Sequence, residues 1–215
     1  MTAFLVWAVV TAEENGGLLV DADVAVIVDA VEKFVTVLRQ RGKEYRVIVP
    51  SIAKSGGTVI AMSSEKILLG INSELGPIDP QFLMPDLGPV PCQFIADDET
   101  QPPTVRALAN SAVVRMKNLA QKILSEGMLK GKNSSELEEV IKKVSSSDTY
   151  HSHGAVIDYS EAKSLGLAVE WMKPEDELWR RVWLLYCCYD HDIKARRAGK
   201  IVEGAVNSMT RPPSN

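Results

Sequence analysis

Two Gly-Gly pairs constrain this chain more than any other feature. Gly16-Gly17 and Gly56-Gly57 each follow a short apolar run and precede a stretch with helical periodicity. The first run is Ala3 to Val10 (AFLVWAVV), and the second is Tyr45 to Val49 (YRVIV), ended by Pro50. After the first pair, Val24, Ile27, Val28, Val31, Phe34, Val35 and Leu38 recur at steps of three and four, which lays them on one stripe of a helix ending near Arg41 and Gly42. After the second pair, TVIAMSS reads as a small-residue helix and Lys66 to Leu69 (KILL) as a third strand. These crossovers are long enough for parallel pairing, and such connections are nearly always right-handed. The fold class is therefore α/β.

About thirty residues after Ser73 hold seven prolines, among them Pro77, Pro80, Pro85 and Pro102, so neither helix nor central strand is expected there. Such a segment reads as a lid, a binding loop or an assembly contact. Helix resumes near Pro103 or Thr104 and runs to about Gly127, and SSELEEVIKKV (134–144) opens with a serine and carries charges that suit a short capped helix. Tyr159 to Leu167 is a helix stopped by Gly166 that leads into an edge strand, LAVEWM. A last helix starts near Pro174, and its run Leu178 to Tyr189 (LWRRVWLLYCCY) is apolar over much of its circumference, which points to intersubunit packing. The expected division is a domain over 1–172, a C-terminal helical extension over 173–208 as an assembly contact, and a flexible tail over 209–215.

With 24 Lys+Arg against 28 Asp+Glu in 215 residues, the formal net charge is −4, which gives no support for a nucleic-acid surface. Three cysteines, two of them adjacent (Cys187 and Cys188), build neither a disulfide ladder nor a CxxC clamp, so a reducing, cytoplasmic compartment is expected. The eight apolar residues at the amino end are too few to cross a bilayer, and a membrane-proximal role is not encoded in this chain. The sequence has no GxxxxGK[ST] or GxGxxG fingerprint, and no cofactor is expected. His151 and His153 flank one serine without converging ligands, so no metal is expected either.

Chemistry concentrates in SIAKSGGTVIA (51–61). A serine between a buried strand and the first turn of a helix has its hydroxyl lifted out of the sheet, while the following amide points into the same space. Ser55 holds that position, Gly56 supplies the amide, and Gly57 permits close backbone approach. In parallel sheets ligand sites form beyond the carboxyl ends of neighbouring strands, so the Gly16-Gly17 turn can face the same cleft and lend a second amide. On spacing alone the two turns serve packing as readily as catalysis.

Read with its successor, the site becomes AKSGGTVIAMSSEKILLGINSELGPIDPQF (53–82). This stretch resembles the serine dehydrogenase proteinase (SDH-type) family, within the group of Clp protease, signal peptide peptidase and crotonase-like folds. The likeness continues through ENGGLLVDADVAVIVDAV upstream and SHGAVIDYSEAKSLGLAVE downstream, about residues 3–170 in all. The resemblance implies a ClpP/crotonase-like spiral of strand-strand-helix units. Part of the usual N-terminal region is lacking, and Asn15 stands where the family's turn has proline. It further implies a homo-oligomer (trimer, hexamer or larger ring), Ser55 as nucleophile, and oxyanion amides from Gly17 and Gly56. Gly16 and Gly57, with the turn of Gly76, Pro77, Ile78, Asp79 and Pro80, would border a cleft for a peptide or protein substrate bound as an added strand.

The general base is open. Clp proteases carry a histidine about twenty-five residues past the serine, where this chain has Gly76, Pro77, Ile78 and Asp79. His153 stands at the spacing of the family's own histidine, with Asp158 either orienting it or capping the Tyr159 helix. Lys117, on the helix after the prolines, is the alternative base, in the manner of lysine-dependent relatives. Lys54 adjoins the serine, and neighbours in sequence tend to point apart. Serine-type peptide hydrolysis leads. A non-catalytic ClpP-like assembly or binding module is the alternative, and a crotonase-like acyl-CoA enzyme a weaker one, since no adenosine-phosphate site is evident.

Overall fold

The computed structural model describes residues 3–6, 24–41, 45–84, 87–145, 150, 155–198, 200–203 and 208–211. Expectations for Gly16, Gly17, His151, His153 and the last four residues lie outside that set. In chain order come β1 (Ala3–Val6), α1 (Val24–Arg41), β2 (Tyr45–Val49), β3 (Ile52–Ala53), α2 (Gly56–Met62), β4 (Lys66–Leu69) and β5 (Glu74–Leu75). They are followed by β6 (Gln81–Met84), β7 (Gly88–Pro91), α3 (Cys92–Asp97), α4 (Pro103–Glu126) and α5 (Ser134–Val144). The chain finishes with α6 (Tyr159–Ser164), β8 (Val169–Trp171), α7 (Glu177–Arg196), β9 (Lys200–Glu203) and β10 (Ser208–Arg211).

The main sheet is parallel throughout, in the order β1-β2-β4-β8, with Val47 opposite Ile67 and Ile67 opposite Val169. Its strands are apolar at successive positions because both faces are covered. Val47, Val49, Ile67 and Leu69 point into a core shared with residues of α1, α2, α4 and α5, whereas Ile48 and Leu68 point the other way, onto Met172, Trp179 and Val182. After β2 the chain bends and gives β3, which pairs in parallel with β5 in a separate two-stranded sheet. Each unit thus contributes one strand to the main sheet and a second to the smaller one. β2, β3 and α2 make the strand-strand-helix unit that carries Ser55, and this mixed architecture is that of the ClpP/crotonase-like expectation. Among the described residues, no helix is long and apolar enough to cross a membrane.

Three details depart from the sequence expectations. The proline-rich segment holds an antiparallel hairpin, β6 with β7, followed by α3. Pro89 and Pro91 face Leu83 and Gln81 in a two-stranded pair, where each strand keeps one unpaired edge and a missing N–H costs no ladder bond. Phe82, Met84 and Val90 pack there onto a small core of Cys92, Ile95, Ala109, Ala112 and Val113. Helix α5 is capped by Asn133, one residue before the expected serine: Asn133 Oδ1 accepts from the Glu136 amide at 2.9 Å, and Glu136 Oε2 accepts from the Asn133 amide at 3.1 Å. Finally, β10 takes the first residues of the expected flexible tail into a hairpin, with Met209 opposite Val202. Backbone groups that neither four-residue run could satisfy alone find partners across the pair.

One contact fixes the outer helix to the sheet. A Cβ built on Gly70, just past β4, would stand 2.3 Å from the Trp179 ring, so the indole lies directly on the glycine backbone. Gly70→Ala should force the 4 %-exposed Trp179 outward and lower unfolding free energy by about 1–3 kcal/mol. Urea denaturation followed by tryptophan fluorescence measures this, and an unchanged midpoint would contradict the packing described.

Candidate active site

Ser55 caps the amino end of α2 with φ 51° and ψ −117°. The described chain has only one other non-glycine residue with positive φ, Arg197 at the end of α7. A serine adopts such a backbone only when its surroundings hold it there, and a sharp, strained strand-to-helix turn is what lifts a nucleophile clear of the sheet. Ser55 is half-buried, as are Gly56 and Gly57, so the hydroxyl is not sealed in the core. The Gly57 amide donates to the Lys54 carbonyl at 2.8 Å, and the Val59 amide to the Ser55 carbonyl at 3.1 Å. Gly56 opens the helix, where an amide has no intrahelical acceptor, and a Cβ on it would come within 3.1 Å of Val31 Cγ2 on α1.

The turn is tied from beneath by Thr58, a fully buried residue that sequence reading did not single out. Its Oγ1 lies 2.6 Å from the Ala53 carbonyl, 2.8 Å from the Gly76 carbonyl and 3.1 Å from the Gly76 amide. One hydroxyl proton serves either carbonyl, and a lone pair accepts the Gly76 amide. The strand before Ser55, the helix after it and the GPIDP turn therefore meet on one side-chain oxygen. The only sequence signal was a threonine on the third residue of the small-residue helix.

Residues 76–80 are buried throughout. The Ile78 amide donates to the Val144 carbonyl at 3.0 Å, and the Pro80 carbonyl accepts from the Cys92 amide at 2.8 Å, which fastens this turn to α5 and α3. Asp79 Oδ2 accepts from Gln81 Nε2 at 3.3 Å. Burial, with the Asp79 charge nearby, pushes the Cys92 thiol up to about 12, so this cysteine stays a packed, protonated group.

The candidate bases fare differently. Lys117 sits on the exposed side of α4 and borders a small depression together with Ile78, Asp79 and Pro80, a depression that does not include Ser55. His153 lies outside the described residues. Asp158 caps α6, its Oδ1 accepting from the Glu161 amide at 2.9 Å. Lys54 is engaged by other groups: its Nζ is 3.2 Å from Glu74 Oε2 and donates to the Ala155 carbonyl at 3.2 Å. A larger recess of about 300 Å³ opens between α1 and α4, floored by Val35, Leu119 and Ile123 and rimmed by the Arg39–Glu126 and Lys122–Glu32 pairs. None of its lining residues belongs to the Ser55 turn. Among the described residues no group of histidine, cysteine and carboxylate side chains could hold a metal ion.

Comparison with known proteins bears on this arrangement. A family model described as ClpP-like SDH-type serine proteinase matches residues 14–210. The chain is 31% identical over 197 residues to uncharacterized protein MJ0137 of Methanocaldococcus jannaschii, covering 86% of this chain and 60% of that one. It is 25% identical over 177 residues to uncharacterized protein MJ1495 of the same organism, covering 78% of this chain and 54% of that one. The chain thus spans well under two thirds of either relative. No solved structure matches it.

The Thr58 tie can be tested apart from any activity. Thr58→Val removes the hydroxyl that accepts from the Gly76 amide and donates to a buried carbonyl, and should lower stability by about 1–3 kcal/mol. Ser55→Gly should be more stable than Ser55→Ala by about 1 kcal/mol, since glycine adopts φ 51° freely and alanine does not. Denaturant titrations of the variants measure both, and Ser55→Ala equal to or above Ser55→Gly would remove the strain from the account.

Proposed function

Because the chain belongs to the ClpP-like SDH-type serine proteinase family, a family of serine-type peptidases, we propose that it hydrolyses peptide bonds through an acyl-enzyme on Ser55. The observation that carries this reading is the positive φ of Ser55 at a strand-to-helix turn. In the proposed reaction Ser55 Oγ bonds to the scissile carbonyl carbon, the carbonyl electron pair moves onto oxygen, and the amides of Gly56 and Gly17 hold that charge. His153 takes the hydroxyl proton and returns it to the amine as the carbon–nitrogen bond breaks; water then enters by the same route and releases the acid.

Chain connectivity favours His153 over Lys117. Ala155, two residues past it, accepts from Lys54, and Ile157 exchanges two 2.9 Å backbone bonds with Leu75 of β5. Lys54 adjoins Ser55, so the chain two residues past His153 in sequence is anchored at the neighbour of the proposed nucleophile. Lys117 is exposed and borders a depression that does not include Ser55. A substrate strand fits the free side of β3, which pairs with β5 alone among the described strands and ends two residues before Ser55. GPIDP serves as the support of the cleft rather than its lining.

Assembly as a homo-oligomer through α7 belongs to the same reading, supported by Leu184, Leu178 and Leu185 at 65%, 42% and 40% exposure on one helix. A cytoplasmic setting fits the three free cysteines, two of them exposed.

His153→Ala should lower turnover of peptide esters by roughly 10² to 10⁴, with folding and oligomer mass intact, while Lys117→Ala stays within about twofold of wild type. The reverse pattern would transfer the base to Lys117. Wild-type turnover equal to that of Ser55→Ala across an ester panel, in folded protein, would replace the peptidase reading with a non-catalytic ClpP-like module.

A further inference from the structure

Lys54 is tied into three segments that the chain separates widely. It follows β3 and directly precedes Ser55. Its aliphatic stem lies on Gly76, where an added Cβ would stand 2.8 Å from Lys54 Cγ and 3.0 Å from Cβ and Cδ. Its ammonium is in ionic contact with Glu74 Oε2 at 3.2 Å and donates to the carbonyl of Ala155, 101 positions along the chain, at 3.2 Å. Among the described residues Glu74 Oε2 has no hydrogen-bond donor, so the lysine supplies its compensating charge. Both side chains are about four-fifths covered, at 21% and 23% exposure, so water screens the pair less than a surface one.

The carbonyl that Lys54 holds lies two residues past His153, and Leu75, next to Glu74, pairs with Ile157. The segment from Ala155 to Ile157 is thus fixed at one end by a backbone bridge and at the other by the lysine. We infer that Lys54 is a positioning residue: its ammonium, braced by Glu74, clips the Ala155 carbonyl to the nucleophile turn and so holds the backbone of Ser55 in place against the segment 155–157. This rests on the peptidase reading above and adds to it what holds the turn of the proposed nucleophile. Lys54 touches no reacting atom. Its cation is engaged by Glu74 and Ala155, which is the reason it serves as a strut and not as the base itself.

The test uses the full chain and compares Lys54→Met, which keeps the stem over Gly76 but has no donor, with Lys54→Arg, which restores the donor and the charge. Two readouts are taken. Native-state hydrogen exchange at the Ile157 amide reports the clip without reference to catalysis, and steady-state peptide-ester hydrolysis reports its consequence. K54M should speed Ile157 exchange about tenfold and lower kcat tenfold to a hundredfold with KM within about twofold, because misplacement of the nucleophile affects the chemical step. K54R should recover most of both. Should K54M prove poorly folded, Glu74→Gln, which removes the bracing charge and keeps the side chain's shape, should shift both readouts the same way by smaller factors. Ile157 exchange in K54M equal to wild type would overturn the clip whatever the activity. A loss of kcat and a rise in KM that K54R fails to recover, in proportion to lost stability alone, would overturn it as well. Wild-type hydrolysis no faster than Ser55→Ala is the distinct outcome that defeats the peptidase reading, and the exchange comparison still decides the clip.

Discussion

The arrangement around Ser55 depends on a single buried hydroxyl. A serine at φ 51° relaxes to a commoner backbone unless both ends of its turn are held, and the cost of such a conformation is of order 1–3 kcal/mol. Thr58 Oγ1 joins the Ala53 carbonyl on one side of Ser55 to Gly76 on the other, while Val31 closes over Gly56 from α1. Ser73 repeats the device one layer away, donating to the Val49 carbonyl and accepting from the Gly70 amide at 2.7 Å. Strand β2, the two turns and β5 thus form a hydrogen-bonded block, and the strain at Ser55 is borne by that block rather than by the helix alone.

The sheet follows from the same economy of partners. Strands covered on both faces need apolar residues at successive positions, and 47–49 of β2 and 67–69 of β4 supply them. The helical side is covered by α1, α2 and α4, the other by α7 through Trp179 on Gly70. Because α7 uses Trp179, Val182 and Ile193 for burial, its leucines at 178, 184 and 185 remain outside. These exposed leucines link the outer layer to the proposed oligomer.

Sequence alone was a good guide wherever the signal is local. The parallel strands announced themselves through β-branched runs, α1 and α4 through three-and-four periodicity, and Gly166 as a helix stop through its glycine, observed at φ 89°. Ser55 was visible from the order strand, SGG, helix. Features that depend on a distant partner were not visible. Pro89 and Pro91 spoke against a strand until the register placed them opposite Leu83 and Gln81, on the unpaired edge of a two-stranded hairpin. The helix cap moved from serine to Asn133 because Glu136 reciprocates with the residue three before it. The role of Thr58 required knowing that Gly76 returns to it, 18 positions later, and that of Lys54 that Ala155 does so after 101. The absence of a histidine near residues 76–79, where Clp proteases carry one, was legible at once.

The central claim is that Ser55 is the nucleophile. Intact-mass spectrometry of protein treated with a fluorophosphonate, followed by peptide mapping, tests it most directly. The account predicts one adduct per chain, on the peptide containing Ser55, in folded protein, and none in Ser55→Ala. An adduct on another serine, or equal labelling of wild type and Ser55→Ala, would contradict it.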